Sequence, residues 1–116
     1  MSGDIKLPNG YYDYQIMYEG GHYSENGQIY LVKSNDSSLV VYDGESKSTL
    51  KILNEKVSGN LGLVNLNSTF TLDGSWSYDS KKEIYVINGT FTQYSFGMGG
   101  YLSIYQYGTF SLTKKK

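Results

Sequence analysis

The chain has 116 residues, enough to bury one core and fold as one domain without staples. Ten lysines against eleven carboxylates give a formal net charge of -1, and the basic residues are scattered, which disfavours a nucleic-acid surface. With no cysteine there is no disulfide framework, zinc ribbon or thiol chemistry, and thirteen tyrosines with no alanine or arginine point to sheet rather than helix.

Residues 1–9 read as a flexible end closed by the turn signal Pro8-Asn9-Gly10. Short strands follow at about 11–18, 28–33, 38–42 and 49–53. Between them lie the turn signals Gly20-Gly21, Glu25-Asn26-Gly27, Ser34-Asn35-Asp36 and Asp43-Gly44. Asn-Gly and Asp-Gly suit hairpins because both central positions accept positive φ. The stretch at about 45–57 comes nearest to a helix. It is too rich in Ser, Thr and β-branched residues to form one, and Asn54 interrupts it.

The second half shows a clearer period of two. Over 64–72, Val64, Leu66, Phe70 and Leu72 share one face, and Asn65, Asn67, Thr69 and Thr71 the other. A turn is expected at Asp73-Gly74, with Trp76 and Tyr78 on a common face beyond it, and another turn from Asp79 to Lys82. Over 83–94, Tyr85, Ile87 and Phe91 form a stripe broken by Gly89. The last run, 101–113, places Leu102, Ile104, Phe110 and Leu112 inward, with Tyr101, Tyr105, Tyr107, Thr109 and Ser111 opposite. Gly108 marks a bulge or a close packing point. Lys114-Lys115-Lys116 reads as a solvated, flexible tail.

About eight strands joined by hairpins make an all-β, single-domain antiparallel meander spanning 1–116. Closing it into an up-and-down β-barrel removes both sheet edges. A two-sheet β-sandwich is the alternative, disfavoured because no long crossover is visible. An echo recurs at Ser68-Thr-Phe-Thr, Asn88-Gly-Thr-Phe-Thr and Tyr107-Gly-Thr-Phe-Ser, spaced by about one hairpin. Together with Gly10-Tyr11-Tyr12 near the start and Gly108-Thr109-Phe110-Ser111-Leu112 near the end, the pattern resembles the small calycin-like (lipocalin-like) β-barrel domains of bacterial exported proteins. That resemblance implies a barrel fold and favours an exported or cell-surface protein in its mature form over the cytoplasmic alternative. The chain departs from the classical lipocalin opening, which carries a Trp, and from fatty-acid-binding proteins, which insert a helical pair, so no ligand is carried over.

Chemistry-bearing residues are sparse. His22, the single imidazole, sits in Gly20-Gly21-His22-Tyr23 and reads as a loop residue. The turn carboxylates Asp36, Asp43, Asp73 and Asp79 lack the Asp-x-Asp-x-Asp spacing of a calcium loop. Gly97-Met98-Gly99-Gly100 has no Lys-Ser/Thr behind it and no helix after it, so it reads as a hairpin tip rather than a phosphate cradle. No cofactor, metal site or catalytic set is expected, and no apolar membrane span is visible.

The aromatics remain. Tyr12, Tyr14 and Tyr18 share a face of the first strand, Trp76 and Tyr78 share another, and Tyr105 and Tyr107 lie together on the last. These are the candidate ligand-binding residues, because rings at a barrel mouth or face suit stacking on sugars or flat molecules. The expected function is a non-catalytic binding or accessory module for a small apolar or sugar-like ligand. The alternatives are a small barrel enzyme of cyclase or isomerase type using tyrosine hydroxyls, and a structural or protein-interaction module.

Overall fold

The computed structural model describes residues 7–20, 24–63, 68–96 and 102–116, with the side chains of 68, 94–96 and 102–105 not described. Eight strands run in chain order: β1 (Gly10–Tyr18), β2 (Ser24–Asn35), β3 (Ser38–Asp43), β4 (Ser46–Leu53), β5 (Lys56–Leu63), β6 (Ser68–Asp79), β7 (Ile84–Phe96) and β8 (Leu102–Lys115). Each pairs antiparallel with the next, and β8 returns to β1 to close the barrel. Closure leaves no edge, which rules out the sandwich. The molecule measures 52 × 30 × 23 Å, and β6 to β8 are its longest run of neighbouring strands.

The period of two sorts the side chains. On β1, Tyr12, Tyr14 and Ile16 are buried while Tyr11, Asp13, Gln15 and Met17 are exposed. Every strand from β1 to β8 contributes to the nineteen buried apolar side chains inside, among them Leu31, Val41, Leu50, Leu61, Phe70, Phe91 and Leu112. At roughly 1.5–3 kcal/mol for each large apolar side chain removed from water, this interior is the main source of stability.

Inward-facing glycines explain the recurrent Gly-Thr-Phe. Gly89 of β7 lies opposite Phe110 of β8, and Phe91 of β7 lies opposite Gly108. The two motifs are therefore reciprocal, each glycine facing the other strand's ring. A Cβ on Gly108 would stand 2.9 Å from the Phe91 ring, and one on Gly74 2.9 Å from Phe110 Cζ. The Met17 and Asn88 backbone carbonyls stand nearer still, so rings and neighbouring backbone together take the space that the absent side chains leave, a cross-strand device that lets the sheet bend without a void. Phe91 also packs edge-on against Phe70 and Tyr18, with centroids 5.3 and 5.5 Å apart.

Two expected turns are not turns for the same reason. Gly27 sits inside β2 opposite Tyr14, whose ring would lie 2.5 Å from a Cβ there. Gly74 sits inside β6, which runs unbroken through Asp73. In both places the glycine makes room for the neighbouring strand instead of reversing the chain: at Gly27 for the Tyr14 ring, at Gly74 for the Asn88 backbone carbonyl with the Phe110 ring beside it. The hairpins at 36–37, 44–45 and 80–83 fall where expected.

β5 is a strand beyond those the sequence pattern marks, because Gly59 interrupts the alternation between Val57 and Leu61. It is reached by a turn in which Asn54 takes φ 56°. The last run also needs correction. Gln93 pairs with Gln106 but Tyr94 pairs with Ile104, so a bulge falls at Tyr105 and simple alternation does not carry from Leu112 back to Leu102. The ends expected to be flexible are structured in part: Leu7 is buried, Lys114 and Lys115 pair with Tyr85 and Ile84, and the Lys116 amide donates to the Glu83 carbonyl.

Candidate functional site

Strand parity and register place each candidate aromatic residue. Tyr12 is fully buried, and its hydroxyl donates to the Pro8 carbonyl at 2.8 Å. That bond ties the segment before β1 across one end of the barrel, where Leu7 also packs. Burial first, with Tyr85 adding to it, pushes the Tyr12 hydroxyl well above the ordinary tyrosine pKa. Trp76 belongs to the same end. It is half-buried against the core, and its indole N–H donates to the Asn54 carbonyl at 3.1 Å, under the β4–β5 hairpin. Tyr78 stacks at a tilt on its cross-strand partner Tyr85, with centroids 4.8 Å apart. This end is plugged by rings and by the chain leading into β1.

Tyr14 and Tyr18 lie further along the same inner face, towards the opposite end. There the inner wall turns polar: Glu25 and Asp43 are half-buried, Glu25 opposite Ile16 and Asp43 opposite Ser46. The Tyr14 hydroxyl is raised from its usual pKa by burial, then by the nearby charges of Asp43 and Glu25. A hydroxyl so shifted stays protonated at neutral pH and acts as a hydrogen-bond donor. Among the described residues, no group of three or more His, Cys, Asp or Glu is placed to hold a metal ion. His22, the Gly97–Gly100 run and the Tyr105 side chain lie outside the described residues.

Tyr107 is different. It is exposed on the outer wall, beside a concavity of about 510 Å3 that also involves Met17 and Thr92 and that Tyr18 and Phe91 reach from the inner face. A second concavity, of about 660 Å3, lies over β8, β1 and β2 and is lined by Asp13, Gln15, Asn26, Gln28, Ser111 and Thr113, with the backbone at Gly27 in its floor. A third, of about 470 Å3, joins them across Gln15, Asn88, Thr90 and Ser111. The three grooves share residues and so form one continuous outer surface.

Register shows how that surface is built. Ser75, Asn88, Ser111, Gln15 and Asn26 are successive partners across β6, β7, β8, β1 and β2. The next row towards the start of β1 runs Val86, Thr113, Asp13 and Gln28. Both rows are almost free of charge. Their one carboxylate, Asp13, accepts a hydrogen bond from Gln28 Nε2 at 3.1 Å.

Beyond this row lies a feature that alternation along single strands does not reveal. Tyr11, Tyr30 and Tyr42 are direct partners across β1, β2 and β3, and all three are exposed, by 62%, 37% and 39%. Tyr11 and Tyr30 pack edge to face, with centroids 4.9 Å apart and planes at 81°. Each tyrosine was visible as the outward neighbour of a core residue, but only pairing brings the three together.

The chain matches no family model, no curated protein and no solved structure.

Proposed function

We propose that the protein is a non-catalytic binding module that engages its ligand on the outer wall of the barrel rather than inside it. One observation carries this reading. Among the described residues, nineteen buried apolar side chains form the interior, which turns polar only at the Glu25 and Asp43 end, whereas three concavities are lined mainly by outward residues of β7, β8, β1 and β2, with Tyr18 and Phe91 reaching into one of them. Ligand sites are concave surfaces with a few convergent polar groups, and the outer grooves have that character. The closed eight-stranded meander is compatible with the lipocalin-like resemblance. On this reading the wall, not the cup, does the binding.

Tyrosine-based catalysis gains little from the inner wall. The raised pKa of Tyr14 works against its serving as a base.

Uptake of an apolar fluorescent fatty acid tests the proposal. A barrel that binds on its wall leaves the probe's emission unchanged, while saturable uptake at micromolar concentration would show an interior site and overturn the reading.

A further inference from the structure

The chemistry of the outer wall narrows the ligand. Building on the outer-wall reading, we propose that the groove over β8, β1 and β2 binds a neutral oligosaccharide, with Tyr11 and Tyr30 as its stacking platform and the Asp13–Gln28 pair as its hydrogen-bonding anchor.

Two features of the wall lie side by side. The ring row Tyr11–Tyr30–Tyr42 stands two residues along the strands from the row of Asp13 and Gln28. Two residues of strand is about 7 Å, within reach of one ligand. A sugar ring has an apolar face of C–H groups and a rim of hydroxyls, so it asks for a flat ring beneath and paired donors and acceptors at its edge. The exposed tyrosines supply the first. Their mutual edge-to-face packing holds two of them in place, so stacking a ligand costs little side-chain freedom.

The second requirement is met by Asp13, Gln28, Gln15 and Asn26. The bond from Gln28 Nε2 to Asp13 Oδ1 fixes both side chains against one another. Each then offers its remaining polar atoms in a set direction, and a carboxylate oxygen accepts well from a sugar hydroxyl.

Charge argues against the other ligand classes. No lysine lines the groove over β8, β1 and β2, so phosphates, sulfates and uronates find no counter-charge there. Of the exposed lysines of β4 and β5, Lys51 and Lys56 lie away from the site, and Lys47 stands at the far end of the ring row as the partner of Tyr42, beyond the Tyr11–Tyr30 platform and outside the groove lining. A protein partner would ask for a drier centre than this hydroxyl and amide floor.

The test uses the purified full chain on a glycan array carrying neutral glucans, mannans, galactans and chito-oligosaccharides beside uronate and sulfated chains. Titration calorimetry follows with the best-bound oligosaccharide. Binding confined to neutral members is expected, with affinity unchanged between 0.05 and about 0.5 M salt, where surface charges are largely screened. Tyr11→Ala and Tyr30→Ala should each weaken it tenfold or more, Tyr30→Phe by less than threefold, and Lys56→Ala not at all. Circular dichroism confirms that each variant folds.

Binding only to acidic chains, or binding that collapses in salt, would overturn the proposal. So would full affinity in the Tyr11→Ala/Tyr30→Ala double variant. If that double variant binds normally while Glu25→Gln or Asp43→Asn binds weakly, the ligand enters the barrel end and the outer-wall reading falls as well. An array with no bound glycan rejects the sugar class alone, because the fatty-acid experiment judges the wall independently.

Discussion

The two halves of the barrel wall solve the same packing problem differently. From β3 to β5 the strands are six to eight residues long, and Lys47, Lys51 and Lys56 stand out into solvent. From β6 to β8 the strands are twelve to fourteen residues long, and the corresponding outward positions are largely Ser, Thr and Asn, such as Ser75, Asn88, Thr90 and Thr109. The long half also concentrates the inward glycines packed directly against a neighbouring strand's backbone, Gly74, Gly89 and Gly108. Where side chains fill the inside evenly, the wall stays closely backed and its outside is an ordinary charged surface. Where inward glycines alternate with phenylalanines on β7 and β8, the outer face carries concavities that continue onto β1 and β2. The inner pattern thus shapes the outer surface, and the difference can be broken from either side.

The largest effect is expected at Phe110, which is buried and fills the space at Gly74. Phe110→Ala should cost about 3–5 kcal/mol, because it opens a cavity over a glycine that has no side chain to collapse into it. Thr109→Ala, one residue away on the outer wall, should stay within about 0.5 kcal/mol. Urea denaturation of both variants measures the contrast. Similar losses at the two positions would contradict the inward and outward faces assigned to β8.

A smaller effect separates the halves directly. A Cβ on Gly89 would run into the Asp73 carbonyl and the Gly74 backbone, neither of which can rotate aside. Gly89→Ala should therefore destabilise by about 1–3 kcal/mol through overpacking. In the short half, a Cβ on Gly62 would meet only the Ser46 and Ser48 hydroxyls at 3.7 Å, ordinary contact. Gly62→Ala should be neutral, or stabilising by up to about 1 kcal/mol, because it restricts the unfolded chain. Equal costs for the two alanines would mean that the closely packed inward glycines are not what distinguishes the long strands.

Much of this was legible before any coordinates. Alternation at Tyr12, Tyr14 and Ile16, and again at Phe110 and Leu112, states which residues face inward, and hairpin signals at Asp43-Gly44 and Asp79 to Lys82 order the strands. Glycine was the ambiguous letter. Asn26-Gly27 and Asp73-Gly74 carry turn chemistry, yet the glycines serve as room for Tyr14 and Phe110, a partner choice that local sequence does not encode. The candidate site was harder to see for a related reason. Tyr11, Tyr30 and Tyr42 are nineteen and twelve residues apart, and only the β1–β2 and β2–β3 registers make them neighbours. The bulge at Tyr105 was equally invisible, since an extra residue leaves no mark on the alternation of either flank.

The smallest effect concerns the plugged end, common to both halves, and it depends on pH. Tyr12→Phe removes the hydroxyl bond to Pro8 and should cost about 1 kcal/mol at neutral pH, with the Pro8 carbonyl losing its donor. Burial, and then Tyr85, raises the Tyr12 pKa above the unfolded value of about 10. Below that value both states keep the proton, and the stabilisation is fully present. As the pH rises beyond it, the unfolded chain releases the proton while the folded chain holds it, so unfolding gains and the stabilisation drains away. The lysines and the other tyrosines titrate in both proteins and cancel in the difference. The stability gap between wild type and Tyr12→Phe should therefore narrow steadily from about pH 9 to about pH 11. Urea midpoints across that range measure it, and parallel curves would show that the Tyr12 hydroxyl ionises as freely in the barrel as in the open chain.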